Sequence, residues 1–220
     1  MELQGKIIHF LGDSITQGYG PSAPDKVYHQ LIKQKYGLAE ANNFGIGGTC
    51  LADRYTPLEI PEFNAHFITR VKDMPEKADA IVVFGGTNDF GHGEVALGDM
   101  NDRTIHTFYG AMHALCLLLI EKYIGKTIVF MTPLHRLHED TATNVSKFDG
   151  ISAHPLIDYV KAIREVCEYY SLPVLDLYAN SGMSGNVPAY CEKFIPDGLH
   201  PNDAGHRIIA DKLRRFLEAL

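Results

Sequence analysis

Ile7-Ile8-His9-Phe10-Leu11-Gly12-Asp13-Ser14-Ile15-Thr16 is an apolar run over residues 7–11 that stops at a glycine and gives way to an Asp-Ser pair. A short, non-alternating apolar run bounded in this way reads as a strand covered on both faces. The pattern recurs along the chain. Residues 43–46 end in Gly47-Gly48, residues 80–84 end in Gly85-Gly86, residues 127–131 stop before Thr132-Pro133, and residues 173–177 form the last run. Helical spacing fills the gaps. Residues 27–36 and 67–72 are short candidates, and Ile105, Phe108, Met112, Leu115 and Leu119 mark a longer helix within 103–123. Ile157, Val160, Ile163, Val166 and Tyr170 mark another, and residues 203–219 carry Ile208, Ile209, Leu213, Phe216 and Leu217 on one face. Strand and helix alternate throughout, which implies a three-layer α/β fold around a mostly parallel sheet.

The chain has 220 residues, 45% of them hydrophobic, enough for one sizeable core; a single domain over residues 1–220 is expected. The formal charge of -7, with no basic stripe, argues against a nucleic-acid partner. Met1-Glu2-Leu3-Gln4-Gly5-Lys6 lacks the basic-then-apolar pattern of a signal peptide, and the greasy stretch at 115–120, between His113 and Glu121, is too short to span a bilayer. Cys50, Cys116, Cys167 and Cys191 form no CxxC pair, so reduced thiols in a cytoplasmic protein are the expectation, with no membrane association. Residues 49–66, 133–154 and 178–196 show no clear pattern; lids over a site and surface decoration are both open for them. Assembly state is not legible.

In a parallel α/β sheet, ligands bind beyond the carboxyl ends of the strands. Four polar clusters fall there. Ser14 follows the first strand, where a helix start leaves main-chain N–H groups free to face a developing oxyanion; the alternative is a plain Asp/Ser turn with capping side chains. Asn43-Phe44-Gly45-Ile46-Gly47-Gly48-Thr49 ends the second strand, and Gly48 offers an unobstructed N–H or is simply part of a glycine-rich turn. Gly86-Thr87-Asn88-Asp89 ends the third. The Asn88 amide is a donor that cannot ionise, or else it braces its own turn. Asp197-Gly198-Leu199-His200-Pro201 precedes the last helix. Pro201 keeps His200 out of helical geometry, so one short loop can present both side chains, Asp197 fixing the tautomer of His200; the alternative is a solvated loop with Asp203 as the helix cap.

Together these clusters resemble the four sequence blocks of the SGNH hydrolase superfamily, also called GDSL esterases and lipases. Gly12-Asp13-Ser14-Ile15 is similar to the first block, with Ile15 where the name has Leu. Gly48 matches the glycine of the second, Gly86-Thr87-Asn88-Asp89 the GxND block, and Asp197-Gly198-Leu199-His200 the DxxH block. The resemblance runs from residue 7 to about residue 217. It implies a flavodoxin-like α/β/α sandwich with a five-stranded parallel sheet in the order 2-1-3-4-5. It implies a nucleophile at Ser14, a base at His200 and an orienting Asp197, with an oxyanion hole of Ser14 N–H, Gly48 N–H and the Asn88 side chain. It implies no metal or organic cofactor and a small-molecule ester substrate. The GxSxG elbow of α/β-hydrolases is absent.

Acetylated carbohydrate, lysophospholipid and acyl thioester all suit such a family. An acidic, short chain without an apolar surface helix favours short acyl groups, acetyl among them. The alternative from another class is a flavodoxin-like module binding FMN at the same strand ends, against which stands the lack of an evident phosphate loop. Other residues read as subordinate. His135 and His138 with Glu139 suggest a surface or lid role rather than a metal site, and His206 packing or exposure. Nothing marks Cys50 as activated, and Asp13 and Asp89 brace their turns. Phe90-Gly91-His92-Gly93 lines a pocket or forms a flexible loop, and Tyr55, Tyr109 and Tyr190 are candidates to stack on a substrate ring.

Overall fold

The apolar run that opens the chain becomes β1 (Ile7–Gly12), buried at every position. In a computed structural model, which describes residues 1–54, 61–92, 95–140 and 154–220, it is joined by β2 (Glu40–Gly45), β3 (Ala80–Phe84), β4 (Thr127–Met131) and β5 (Val174–Leu175). The five strands form one sheet in the order β2-β1-β3-β4-β5, every pair parallel.

Side chains of successive strand residues point to opposite faces, and here both faces are apolar. Ile8, Phe10, Val82, Phe84, Val129 and Met131 enter one core with Tyr28 and Ile32 of α2 (Tyr28–Tyr36) and Ile209, Leu213 and Leu217 of α9 (Asp203–Ala219). Leu11, Ile81, Val83, Ile128 and Phe130 enter the other. There they meet Phe67 and Val71 of α3 (Phe67–Val71), Met112 and Leu115 of α5 (Phe108–Lys122) and Val160 and Ile163 of α6 (Leu156–Tyr169). That is the expected three-layer arrangement. Fully buried rings such as Phe10 and Phe130 each contribute about 2–3 kcal/mol by leaving water.

Local departures from expectation have local causes. β2 begins at Glu40 rather than at residue 43, because this edge strand is partly exposed and reads Glu-Ala-Asn-Asn at its start. β5 is only Val174–Leu175, since Asp176 at once caps α7 (Leu177–Asn180) by accepting from Ala179 N. α5 starts at Phe108, with Thr107 as its cap, so Ile105 precedes the helix. The cap of α9 is Asn202, whose side chain accepts from Ala204 N and Gly205 N, and not Asp203, which is the first helical residue and bonds elsewhere. The stretch 178–196 holds α8 (Pro188–Phe194). The lid readings of 49–66 and 133–154 fall in part on 55–60 and 141–153, outside the described residues.

Register decides where the site lies. Gly12 is level with Gly45 of β2 and with Phe84 of β3. The segments that follow these strands therefore emerge side by side at one edge. β1 stands between β2 and β3, so the chain leaves it toward one side and returns on the other, which opens a crevice at this edge.

Candidate active site

Past β1 the chain turns straight into α1 (Ser14–Gln17), capped by Asp13, whose Oδ1 accepts from Ile15 N at 3.0 Å. Only a glycine fits at position 12: a Cβ there would lie 2.0 Å from Thr16 Oγ1 and 2.9 Å from the Phe84 carbonyl oxygen. Ser14 is thus the first helical residue, where N–H groups have no partner within the helix. Its Oγ lies 3.0 Å from His200 Nε2, a contact across 186 residues of sequence. The other ring nitrogen, Nδ1, is 2.7 Å from Asp197 Oδ2. Asp197 Oδ1 accepts from Leu199 N at 2.9 Å and from His200 N at 2.6 Å. Partial burial works against its charge, but the bonds from the His200 N–H and ring and the Leu199 N–H outweigh it and hold the carboxyl below the usual range.

The segment after β2 lies against the serine. A carbon added to Gly47 would sit 3.5 Å from Ser14 Cβ, and Gly47 N donates to Gln17 Oε1 at 2.7 Å. Gly48 follows with φ 74°. Asn88 stands in the first turn of α4 (Thr87–His92) and donates through Nδ2 to the Thr49 carbonyl at 3.0 Å. One of its two amide protons is thereby used and the other is left to point elsewhere. Asp89 receives Leu51 N and Ala52 N, each at 3.0 Å, so α4 is stitched to the residues that follow Gly48. Burial pushes the Asp89 carboxyl up to about 6 despite these donors, and pushes that of Asp13 up to about 7 despite the Ile15 N–H and the Arg70 charge. Asp13 braces its own turn, as expected from the sequence, whereas Asp89 ties α4 to Leu51 and Ala52.

Three arginines and a tyrosine were not singled out in the sequence. Arg70 of α3 is buried and donates from Nη1 to the Gly12 carbonyl at 2.9 Å and to the Phe44 carbonyl, and from Nη2 to Thr49 Oγ1 at 2.9 Å. It ties the ends of β1 and β2 to the glycine segment. Arg54 Nη2 donates to the Gly48 carbonyl at 2.9 Å and to Cys50 Sγ at 3.2 Å. Arg136 Nη1 reaches the Thr87 carbonyl at 3.0 Å and Thr87 Oγ1 at 3.1 Å. A charged residue inside the apolar stretch Phe67-Ile68-Thr69-Arg70-Val71 was the one available signal. Tyr19, with 63% of its surface exposed, brings its ring centroid to 4.5 Å from that of His200.

The remaining candidates settle in other places. Tyr109 is buried and its hydroxyl donates to Glu165, and Tyr190 lies on the exposed side of α8. Tyr55 and Gly93 lie outside the described residues. His135 bonds Glu139 at 2.5 Å, and His206 is buried with Nδ1 accepting from Tyr28 N at 3.1 Å. Phe90 is buried against Tyr159 rather than lining an open pocket. A cavity of about 10 Å³ adjoins Asp13, Phe84, Thr87, Pro133 and Leu199, room for one water-sized group.

Residues 10–208 match the family model of the GDSL-like Lipase/Acylhydrolase family. The chain belongs to this family. As a GDSL-like hydrolase it acts on ester bonds. Solved structures agree in fold. A protein from Lactobacillus plantarum is 32% identical with a TM-score of 0.83, the match covering 98% of each chain. The lipase/acylhydrolase from Enterococcus faecalis is 22% identical with a TM-score of 0.63, covering 97% of this chain and 96% of that one. A member of the lipolytic G-D-S-L family from Veillonella parvula is 17% identical with a TM-score of 0.62, covering 97% and 98%. No curated protein matches this GDSL-like chain in sequence. Among its described residues no helix is long and apolar enough to cross a membrane.

Proposed function

We propose that this hydrolase is a serine esterase acting on small-molecule esters of short acyl groups, such as acetyl. Ser14 Oγ attacks the ester carbonyl carbon while His200 Nε2 takes its proton. Asp197 holds the imidazole in the tautomer with hydrogen on Nδ1 and balances the imidazolium that forms. The negative charge that develops on the carbonyl oxygen is met by the N–H of Ser14, the N–H of Gly48 and the free amide proton of Asn88. His200 returns its proton to the leaving alcohol, and an acyl-Ser14 remains. Water then repeats the cycle and releases the acid. No step calls for a metal or an organic cofactor.

The reading rests above all on the 3.0 Å contact between Ser14 Oγ and His200 Nε2, with Asp197 on the far side of the ring. The short, acidic chain favours short acyl groups over long ones. Its test is Ser14→Ala assayed with p-nitrophenyl esters of increasing acyl length. Wild type should be fastest on acetyl, and the variant should hydrolyse none of them while keeping its circular dichroism spectrum. Undiminished turnover by the variant refutes the nucleophile, and a wild-type preference for long chains refutes the acyl assignment.

A further inference from the structure

His200 and Asp197 belong to the same loop, and their mutual hydrogen bond moves with it. That bond sets the tautomer and tilt of the ring but does not set its distance from Ser14. Something must fix the loop to the nucleophile, because a misplacement of about 1 Å can cost 10²-fold in rate. Leu137 N ties the loop to the segment after β4 by donating to the Gly198 carbonyl at 2.8 Å; its contacts with the chain that runs on from α1, and so travels with Ser14, come from residues 18–28.

Gly20, with φ 107°, lies so close to the loop that a Cβ on it would stand 2.3 Å from the Pro201 carbonyl oxygen. Tyr19 beside it rests on the His200 ring. Two residues further, Ser22 N donates to Asp203 Oδ1 at 2.7 Å and Ser22 Oγ to Asp203 Oδ2 at 2.9 Å. Lys26 Nζ donates to that same Oδ2 at 2.8 Å and to Ser22 Oγ at 2.7 Å. Tyr28 N continues the seam by donating to His206 Nδ1. Asp203 is the one side chain in this seam that gathers three donors, and it follows His200 by three residues at the rigid start of α9.

We propose that Asp203 is a positioning residue for the reaction: by latching Ser22 and Lys26 to the start of α9 it holds Tyr19 on the His200 ring and keeps the imidazole within reach of Ser14. The inference rests on the reading of Ser14 and His200 as the reacting pair. Asp203 touches neither of them, and acts through the spacing of the two loops.

The test compares full-length wild type, Asp203→Ala and Asp203→Asn by esterase kinetics and by NMR. Asp203→Ala should lose roughly tenfold to a hundredfold in kcat, with KM changed by less than about twofold. It should also lose the nuclear Overhauser effect between the Tyr19 and His200 rings. Asp203→Asn keeps a carbonyl for Ser22 N and should recover most of the rate and the ring contact. Should Asp203→Ala not fold, the pair Ser22→Ala and Lys26→Met removes donors without altering α9 and should shift kcat and ring contact in the same direction. A kcat for Asp203→Ala close to wild type overturns the proposal. So does a lost rate with the ring contact intact. If Ser14→Ala were as active as wild type, the esterase reading would fall instead, and the ring contact would still report on the latch.

Discussion

Asp197→Asn tests the tautomer argument with almost no change of shape. The exchange replaces one oxygen by an NH2 group, and the backbone decides which. Two main-chain donors, Leu199 N at 2.9 Å and His200 N at 2.6 Å, converge on Oδ1. An NH2 turned toward them would set donor against donor, so the amide oxygen stays there and the NH2 faces His200 Nδ1. That nitrogen must then accept, the ring proton moves to Nε2, and Nε2 presents a hydrogen to Ser14 Oγ in place of a lone pair. The base is blocked in its ground state. The expected loss is about 10⁴ in kcat near neutral pH, or ~5.5 kcal/mol of barrier. Stability should hardly move, because the Asp197 side chain is 48% exposed and pairs of that exposure contribute about 0–1 kcal/mol. Initial rates on p-nitrophenyl acetate beside a thermal melt separate the two effects. A variant with kcat within about tenfold of wild type would mean that Asp197 does not set the tautomer, and that the geometry has been misjudged.

Asn88→Ala should lower kcat by about 10²–10³ with KM little changed, as expected for one of three oxyanion donors; an unaltered kcat in the same ester assay removes it from that set. Arg70→Met should cost about 3–5 kcal/mol, since the Phe44 carbonyl and Thr49 hydroxyl lose a buried donor and Asp13 its nearby cation. The melting temperature should drop by on the order of 10 °C, and a shift of only about 2 °C would show the network to be dispensable. Burial holds His206 down to about 3 and His29 and His92 to about 4, so the unfolded chain takes up their protons first as pH falls below about 6.5, and stability is lost on the way down. Asp13 and Asp89, raised by burial to about 7 and about 6, act with the opposite sign, losing stability as pH rises from about 4 through those values. Melts between pH 4 and 6 should show a shallow positive slope that His206→Gln flattens and Asp89→Asn steepens, each by about 1.4 kcal/mol per pH unit; an unchanged slope in both would refute this account of the buried charges.

The central strands were legible because β1, β3 and β4 are mostly apolar and buried along nearly their whole length. The edge strands were less so. β2 carries Glu40, Asn42 and Asn43 where a covered strand would carry aliphatics, and β5 is cut short by the cap at Asp176. The helices α7 and α8 escaped because turns of four and seven residues hold too few positions to show a period. At the candidate site, Ser14 was legible as a serine at a strand end and Asp197 and His200 as a pair in the loop before the last helix, and the structure brings these three into contact. What supports them was not legible. Arg70, Arg136 and Tyr19 act on atoms from 21 to 181 residues away, as do the Ser22 and Lys26 donors to Asp203. Only the folded chain brings those pairs together, and no local pattern encodes them.

The serine follows a strand paired on both sides within the sheet, whereas the histidine hangs on a loop held by a few surface bonds. If Ser14 and His200 carry out the reaction, warming that frees the seam between residues 18–28 and 200–206 before the two apolar cores give way would end turnover below the melting temperature, and stiffening the seam rather than the cores would extend the working range.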